Sequence, residues 1–426
     1  MPQPTTTIEQ SEEVAARLAS GDASRRAHAA IRDVARRTPV LTSRSLGEQC
    51  GGTVLLKAEN LQRTGSFKLR GALTKLAALD GAQGVVAGSA GNHAQSLAYA
   101  ARARGLRCEV FMPREASVAK VAAVRSFGGT VRLGGDSVDE CVAGARARAE
   151  ETGAAFVHPF DDPDIILGQG TLGLELLEDV PDLATVIVPV GGGGLAAGIA
   201  AVVKAARPEV RVVGVQVSAC APYPRSLEQG TPVEVPSAGT IADGIAIKRP
   251  GGITLPLVSR FVDDLCVVEE DDVAEAIMLL LERAKLVVEG AGAVGVAALL
   301  HEGVRPAPRG STVVVLSGGN IDSGLLAVLA RRHETAMGRR LRIFTRVSDR
   351  PGGLAALLTC IAKVGGNLVT VEHVREAVPL HVRQTGVDIV METRDTDHAE
   401  AILATLREDG YEVQRLDVPA LEPREA

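Results

Sequence analysis

Residues 64–72 read TGSFKLRGA and set one lysine, Lys68, among small, conformationally permissive neighbours. A solvated lysine is almost fully protonated at neutral pH. An amine that is to form a Schiff base must therefore sit where desolvation or a nearby cation lowers its pKa. Phe67 and Leu69 flank it with apolar surface. Thr64, Gly65 and Ser66 predict a tight turn and a hydroxyl cap, with a helix that begins near Ser66, runs towards Leu79 and holds Lys68 in its first turn. The same residues also describe an ordinary solvated lysine on an amphipathic helix, so companions elsewhere in the chain must decide.

Outward from this stretch, short apolar runs alternate with longer amphipathic ones. Strands are predicted over 53–57, 85–88, 108–112, 130–133, 154–157, 185–190, 211–217, 261–268 and 312–316, with helices between them. That alternation defines an α/β chain with parallel sheets covered on both faces and ligand chemistry at the carboxyl ends of the strands. Three of those ends carry small or glycine-rich clusters: Ser89-Ala90-Gly91-Asn92-His93, Gly191-Gly192-Gly193-Gly194-Leu195 and Ser317-Gly318-Gly319-Asn320. A glycine loop that opens a helix presents backbone N–H groups at the positive end of the helix dipole, which is a ready anion site. GGGGL lacks both the GxGxxG spacing of a dinucleotide site and the GK[ST] ending of a P-loop.

A chain of 426 residues exceeds one ordinary core, so two or three domains are expected. Tryptophan is absent and aromatics make up 2%, which suits helices packed on buried parallel strands better than a β-sandwich. The net charge is −6, without a basic tract interleaved with aromatics, and this argues against nucleic acid as a partner. Cys50, Cys108, Cys141, Cys220, Cys266 and Cys360 form no CxxC pair and have no histidine at zinc-ligand spacing, so they read as small buried residues in a reducing compartment, without a metal site. No apolar run approaches eighteen residues and no leader pattern follows Met1, so no membrane partner and a cytoplasmic location are expected.

Residues 1–22 are polar and expected to be flexible apart from a short helix over 11–18, and 25–37 has helical spacing ended by Thr38-Pro39. The region 23–337 then forms the main body, with a small subdomain over about 60–157 inserted in a larger one. A basic, glycine-containing boundary at 337–340 leads into strands over 341–347, 367–374, 381–391 and 411–416 with helices over 353–364 and 398–408. That order, βαββαβ over 338–418, is the ferredoxin-like pattern, and 419–426 reads as a tail.

Taken together, the chain resembles the fold-type II (tryptophan synthase β-like) pyridoxal phosphate enzymes, specifically the threonine dehydratases, or threonine ammonia-lyases. The resemblance covers residues 30–335. It rests on ENLQRTGSFKLRGA (59–72), GSAGNHAQ (88–95), GQGT (168–171), VGGGGL (190–195), ADGIAIKRPG (242–251), VVEGAGA (287–293) and SGGN (317–320). It implies that Lys68 carries pyridoxal 5'-phosphate and, once freed by an incoming amino acid, moves its α-proton. Phe67 would lie beside the cofactor ring, Asn92 would bond its 3-hydroxyl, and Ser317 would face its nitrogen. The loop of Gly191, Gly192, Gly193, Gly194 and Leu195 would hold the phosphate, with Ser89, Ala90, Gly91, Asn92 and His93 receiving the substrate carboxylate. Glu289 reads either as a support near the ring or as a solvated acid before a helix. The implied reaction is conversion of L-threonine, and also L-serine, to 2-oxobutanoate or pyruvate and ammonia.

The C-terminal stretch SDRPGGLAALLTCIAKVGGNL (348–368) resembles an ACT domain. This implies pairing into a homodimer or homotetramer and an amino-acid or nucleotide effector. The amino-acid site would be built from Asp349, Pro351, Gly352, Gly353, Leu354 and Asn367. Two other readings stand beside this one. Serine racemases similar to this chain place a serine directly before the glycine of the GNH loop, where this chain has Ala90. Magnesium-binding relatives carry acids in the loop after the 211–217 strand, where this chain has Gln216, Cys220 and Pro222, so no metal site is expected there. A catalytically silent amino-acid sensor would keep the loops without needing Lys68.

Overall fold

The computed structural model describes residues 4–375 and 381–416, which divide into two units, Met1–Asp322 and Ser323–Ala426. The expected tail at 419–426 lies outside the described residues.

The first unit is built on two sheets. The larger has six strands in the order Val40–Thr42, Thr53–Ala58, Ser311–Leu316, Leu183–Pro189, Arg211–Val217 and Asp264–Val268. Every neighbouring pair is parallel except the first, where Val40 lies opposite Lys57 in an antiparallel edge pair. The smaller sheet, Thr130–Leu133, Arg107–Met112, Gly84–Gly88 and Ala155–Phe156, is wholly parallel and comes from one continuous stretch of chain. Gly84–Gly88 and Ser311–Leu316 are buried along their whole length, as expected of strands covered on both faces. Each sheet has its own core. Val186, Val188, Ile199 and Val313 belong to the larger one, and Val85, Val110, Leu73 and Leu97 to the smaller.

Several sequence expectations need correction. The leading segment is not loose: Pro4–Ala19 is a helix, and its Val14, Ala15 and Leu18 are buried in the core of the larger sheet. The run 261–268 is split, because Phe261 ends the helix Thr254–Phe261 and only Asp264–Val268 forms a strand. The helix after Gly65 starts at Lys68, later than predicted, and ends at Ala78. Ser66 does not cap it. Ser66 instead forms an isolated antiparallel bridge with Gly318, and Phe67 N–H donates to the Ser317 carbonyl at 3.0 Å, so the turn is fixed across the sheet.

In the second unit, after the helix Ser323–Ala336, a four-stranded antiparallel sheet runs Asn367–Val374, Gln384–Glu392, Arg340–Ser348 and Gln414–Arg415. The helices Gly353–Lys363 and Thr396–Glu408 supply Leu357, Ile361, Ile402 and Leu406 to a core with Leu341, Ile343 and Ile389. The order of elements is the βαββαβ read from the sequence.

Candidate active site

Four segments of the first unit meet at the carboxyl ends of its strands. Gly65, at φ +75°, lets the chain turn where a Cβ would collide with the Asn320 amide. Asn320 Nδ2 donates to the Thr64 carbonyl at 2.8 Å and Gly319 N–H to the Gly65 carbonyl at 2.9 Å. The TGSFK and SGGN stretches are thereby joined. Lys68 emerges from this junction, its Nζ donating to the Pro159 carbonyl at 2.7 Å and lying 5.2 Å from the centre of the Phe67 ring. Burial lowers its pKa from 10.5 to about 8, with the Glu289 charge pulling the other way.

The second segment is the loop Ser89–His93, which opens the helix Asn92–Ala103. Asn92 is held from two sides: its Nδ2 donates to Glu289 Oε1 at 2.7 Å, and its Oδ1 accepts from Asn320 Nδ2 at 2.7 Å. Glu289 is buried, not the solvated acid of its alternative reading. Burial and the nearby Asp243 charge raise its pKa to about 7, against the opposing bond from Asn92. His93 turns inward, with Nε2 3.1 Å from the Val157 carbonyl and Nδ1 buried without a hydrogen-bond partner. Burial first, then the Lys68 charge, lowers its pKa to about 3, so it is neutral at physiological pH. Its ring is therefore not an anion-binding cation.

The third segment is the glycine loop before the helix Gly194–Ala206. Gly193 adopts φ +93°, and a Cβ there would collide with the Tyr223 hydroxyl, while one at Gly192 would enter the Phe160 ring. Thr254 Oγ1 donates to the Gly192 carbonyl at 2.6 Å and the Tyr223 hydroxyl reaches the same oxygen at 3.1 Å. These two bonds and the close packing of Phe160 fix the loop's backbone from one side. Ser317 is buried at the end of the strand Ser311–Leu316.

The fourth segment, His158–Asp161, was missed in the sequence because its strand end carries no glycine cluster. It supplies the carbonyl facing Lys68 and the ring packed on Gly192. Asn320, Tyr223 and Thr254 were missed as well. Asn320 stood in a quoted motif, but its amide role depends on a fold that brings residues 64, 92 and 320 together.

The chain matches the model of the family described as pyridoxal-phosphate dependent enzyme over residues 31–318. It belongs to that family. It is 45% identical over 388 residues to an L-threonine ammonia-lyase of Thermotoga maritima, covering 90% of this chain and 96% of the relative. An L-threonine ammonia-lyase of Geobacter sulfurreducens is also 45% identical, with 91% and 96% covered. Among solved structures, a threonine deaminase from T.th. is similar with a TM-score of 0.68 and 43% identity over 71% of this chain and 98% of that one. A maize serine racemase reaches a TM-score of 0.70 at 36% identity over 74% and 97%.

The residues present fit the family's cofactor. Pyridoxal phosphate carries an aldehyde and a phosphate. The site offers a half-buried amine of lowered pKa facing a neutral carbonyl, and a glycine loop at a helix N-terminus whose side-chain space is already filled. The Ser66 hydroxyl, buried at the foot of the same turn, has no partner among the protein's own groups. Among the described residues, no group of three or more His, Cys, Asp or Glu is placed to hold a metal ion, and no helix is long and apolar enough to cross a membrane.

In the second unit, Asn367 lies apart from the other residues expected to form an effector site in one copy. Asp349 follows Ser348, which lies opposite Gln384, whereas Asn367 and Arg340 both lie opposite Glu392 at the other end of the same strand. Nine residues of strand separate the two ends by roughly 26 Å. The reason is the direction of the chain: one strand and one helix carry it up and back, so the next strand must start at the far end. Asp349 is occupied by Arg375 at 3.1 Å, and Asn367 donates to Glu392 at 2.8 Å. Gly352, at φ +93°, does open the helix Gly353–Lys363, the geometry expected of the Pro351–Leu354 loop.

Proposed function

We propose that this chain is an L-threonine ammonia-lyase that also accepts L-serine, releasing ammonia and leaving 2-oxobutanoate or pyruvate. The observation that carries the reading is the half-buried Lys68 amine, bonded to the neutral Pro159 carbonyl beside the glycine loop. When bound, pyridoxal phosphate supplies the electron sink that makes an amino acid's α-proton removable. The chain supplies the rest. Lys68 Nζ, with a pKa near 8, is neutral in an appreciable fraction at physiological pH and serves as the base at Cα. Gly191, Gly192, Gly193, Gly194 and Leu195 hold the phosphate with N–H groups at the start of their helix. Ser89, Ala90, Gly91, Asn92 and His93 receive the substrate carboxylate with their backbone amides. Asn92, fixed between Glu289 and Asn320, would orient the cofactor ring, and Phe67 and Ser317 would help to hold it.

The test is the release of 2-oxobutanoate from L-threonine by the purified protein. Lys68→Ala should lower turnover by at least about 10²–10⁴-fold, the range for losing a positioned proton-transfer group. A variant that keeps wild-type turnover sinks the assignment. The likeness to a serine racemase motivates a second assay. Ala90 leaves the position directly before Gly91 without a side-chain hydroxyl, and Ala90→Ser should produce measurable D-serine from L-serine. An unchanged enantiomer ratio would show that Ala90 does not restrain racemisation. We also infer that residues 338–418 form an ACT domain through which an amino acid or nucleotide regulates a homo-oligomer in the cytoplasm. The separation of Asp349 from Asn367 supports a site completed between two copies. Threonine turnover insensitive to branched-chain amino acids and to adenosine monophosphate would leave that unit without a regulatory role.

A further inference from the structure

Four consecutive residues, His158 to Asp161, touch both halves of the candidate site. The Pro159 carbonyl receives the Lys68 amine, and the Phe160 ring lies against Gly192. His158 Nδ1 accepts from the N–H groups of Phe160 at 3.3 Å and Asp161 at 2.8 Å, which folds the four into one turn. Asp161 then reaches out of that turn. Its Oδ2 accepts from Gly252 N–H at 3.0 Å, and its Oδ1 from Ile253 and Thr254 N–H at 2.9 and 3.1 Å. Those three amides open the helix Thr254–Phe261, whose first residue carries the hydroxyl bonded to the Gly192 carbonyl. Its neighbour Asp162 does something more ordinary, capping its own helix Pro163–Asp179. A carboxylate spent on a helix start some ninety residues away in sequence is a tertiary device, and its consequence falls on the glycine loop.

We propose that Asp161 is the positioning residue that sets the glycine loop at a fixed distance from the Lys68 amine. This rests on the reading of the site as one that binds pyridoxal phosphate. That ligand is a rigid ring with an aldehyde and a phosphate at set separation, so two attachment points bind it together only if the protein holds them in register beforehand. Asp161 fixes Thr254, and Thr254 with Tyr223 pins the Gly192 carbonyl. The same turn presents the Pro159 carbonyl to Lys68. One rigid piece thus determines both ends of the ligand's seat without touching the ligand.

A plain helix cap would have the same hydrogen bonds, so the test separates stability from register. Apoenzyme is titrated with pyridoxal phosphate and, separately, with pyridoxal, which lacks the phosphate. Asp161→Asn keeps the volume but loses one acceptor and turns an NH2 group towards an N–H. The dissociation constant for pyridoxal phosphate should rise roughly 10-fold to 100-fold, the scale for a hydrogen bond to a charged group. The constant for pyridoxal should change much less. Thr254→Val, of nearly the same shape, should weaken pyridoxal phosphate in the same selective way, and Thr254→Ser should restore it. An Asp161→Asn protein of lower thermal stability with an unchanged ratio of the two constants is a helix cap only, and overturns the proposal. So does a Thr254→Val protein with the wild-type constant, which guards against an Asp161 variant that does not fold. Wild-type protein that takes up no pyridoxal phosphate would instead overturn the underlying reading.

Discussion

Lys68 and Arg70 stand two residues apart on one turn of helix, Lys68 half-buried and Arg70 wholly so, and they have opposite electrostatic lives. The Arg70 guanidinium meets Glu59 at 2.8 and 2.9 Å and Glu175 at 2.7 and 3.0 Å, while Lys57, fully buried, adds a second cation to Glu175 at 2.7 Å. Burial works against the Arg70 charge, but the two carboxylates outweigh it and hold its pKa above the ordinary arginine value. Glu175 responds in kind: burial would raise its pKa, yet Arg70 and Lys57 together hold it below normal. Lys68 has no such counterweight. Its nearest hydrogen-bond acceptor is a neutral carbonyl, and the one carboxylate acting on it, Glu289, is itself raised to about 7 and so partly protonated. Burial alone therefore does not make a cation reactive; burial without a paired anion does.

The largest way to break this contrast is Arg70→Met. The substitution keeps most of the side-chain volume and strips two buried carboxylates of their main partner, a change that costs about 3–5 kcal/mol when a buried pair is broken from one side. Urea unfolding should show the loss as a lower midpoint with an unchanged slope. A loss below about 1 kcal/mol would mean that Lys57 and the Thr38 hydroxyl, which bonds Glu59, already balance the network without Arg70.

The matching change at Lys68 has the opposite sign. A base whose folded pKa is depressed weakens the fold wherever the folded state must carry the charge. That cost is fully present below the folded value of about 8 and is relieved as pH rises from there to the unfolded value of 10.5. The shift corresponds to about 3 kcal/mol, from which the lost hydrogen bond to Pro159 removes about 1. Apo Lys68→Met should accordingly be about 2 kcal/mol more stable than the apo parent at pH 7, with the advantage gone by pH 10.5. Thermal or urea unfolding of the apo forms across that range checks both the sign and the crossing. A variant less stable at pH 7 would show that Lys68 is paired in solution after all.

Much of the site could be read from the chain before any fold was known. The glycine loops fall at strand ends because each strand must hand over to a helix, and both the apolar runs and the small residues that mark this are local. What stayed hidden depends on long-range placement. Glu59 and Glu175 are 116 positions apart, and nothing near either says that they share one arginine. Asp161 looks like one of two adjacent acids before Pro163, and only the fold shows that one caps its own helix and the other a distant one. Ser66 looked like a helix cap because hydroxyls before helices usually are; a bridge to Gly318 took its backbone instead. The separation of Asn367 from Asp349 is different. It follows from the order strand, helix, strand, and it was missed by weighing the loop residues without tracing the direction of the chain.

The smallest expected effect bears on the one anion near Lys68. Asp243, half exposed, raises the Glu289 pKa by its charge, and Lys120, which pairs with Asp243 at 2.6 Å, lowers it. Asp243→Asn removes the raising charge and leaves Lys120 unneutralised, so both consequences push the Glu289 pKa down from about 7. Lys120→Met removes the lowering charge and leaves Asp243 unneutralised, so it should push the same pKa up. Because the pair is solvent-accessible, each shift should be modest, about 0.2–0.7 pH unit, the equivalent of the 0.2–1 kcal/mol measured for exposed ion pairs. The protonated-carboxyl stretch in the infrared, with Glu289→Gln as the blank, follows this titration without relying on turnover. Lys68 should move with it: a Glu289 ionised at lower pH holds more negative charge beside the amine at neutrality, which raises the lysine pKa and leaves a smaller fraction of the amine neutral and able to accept a proton. Shifts of the same sign in the two variants would mean that the pair acts on Glu289 by moving the segment around Asp243 and not by its charge. The isolation of Lys68 would then be a matter of packing, whereas opposite shifts would place it in the balance of three charges around one carboxyl.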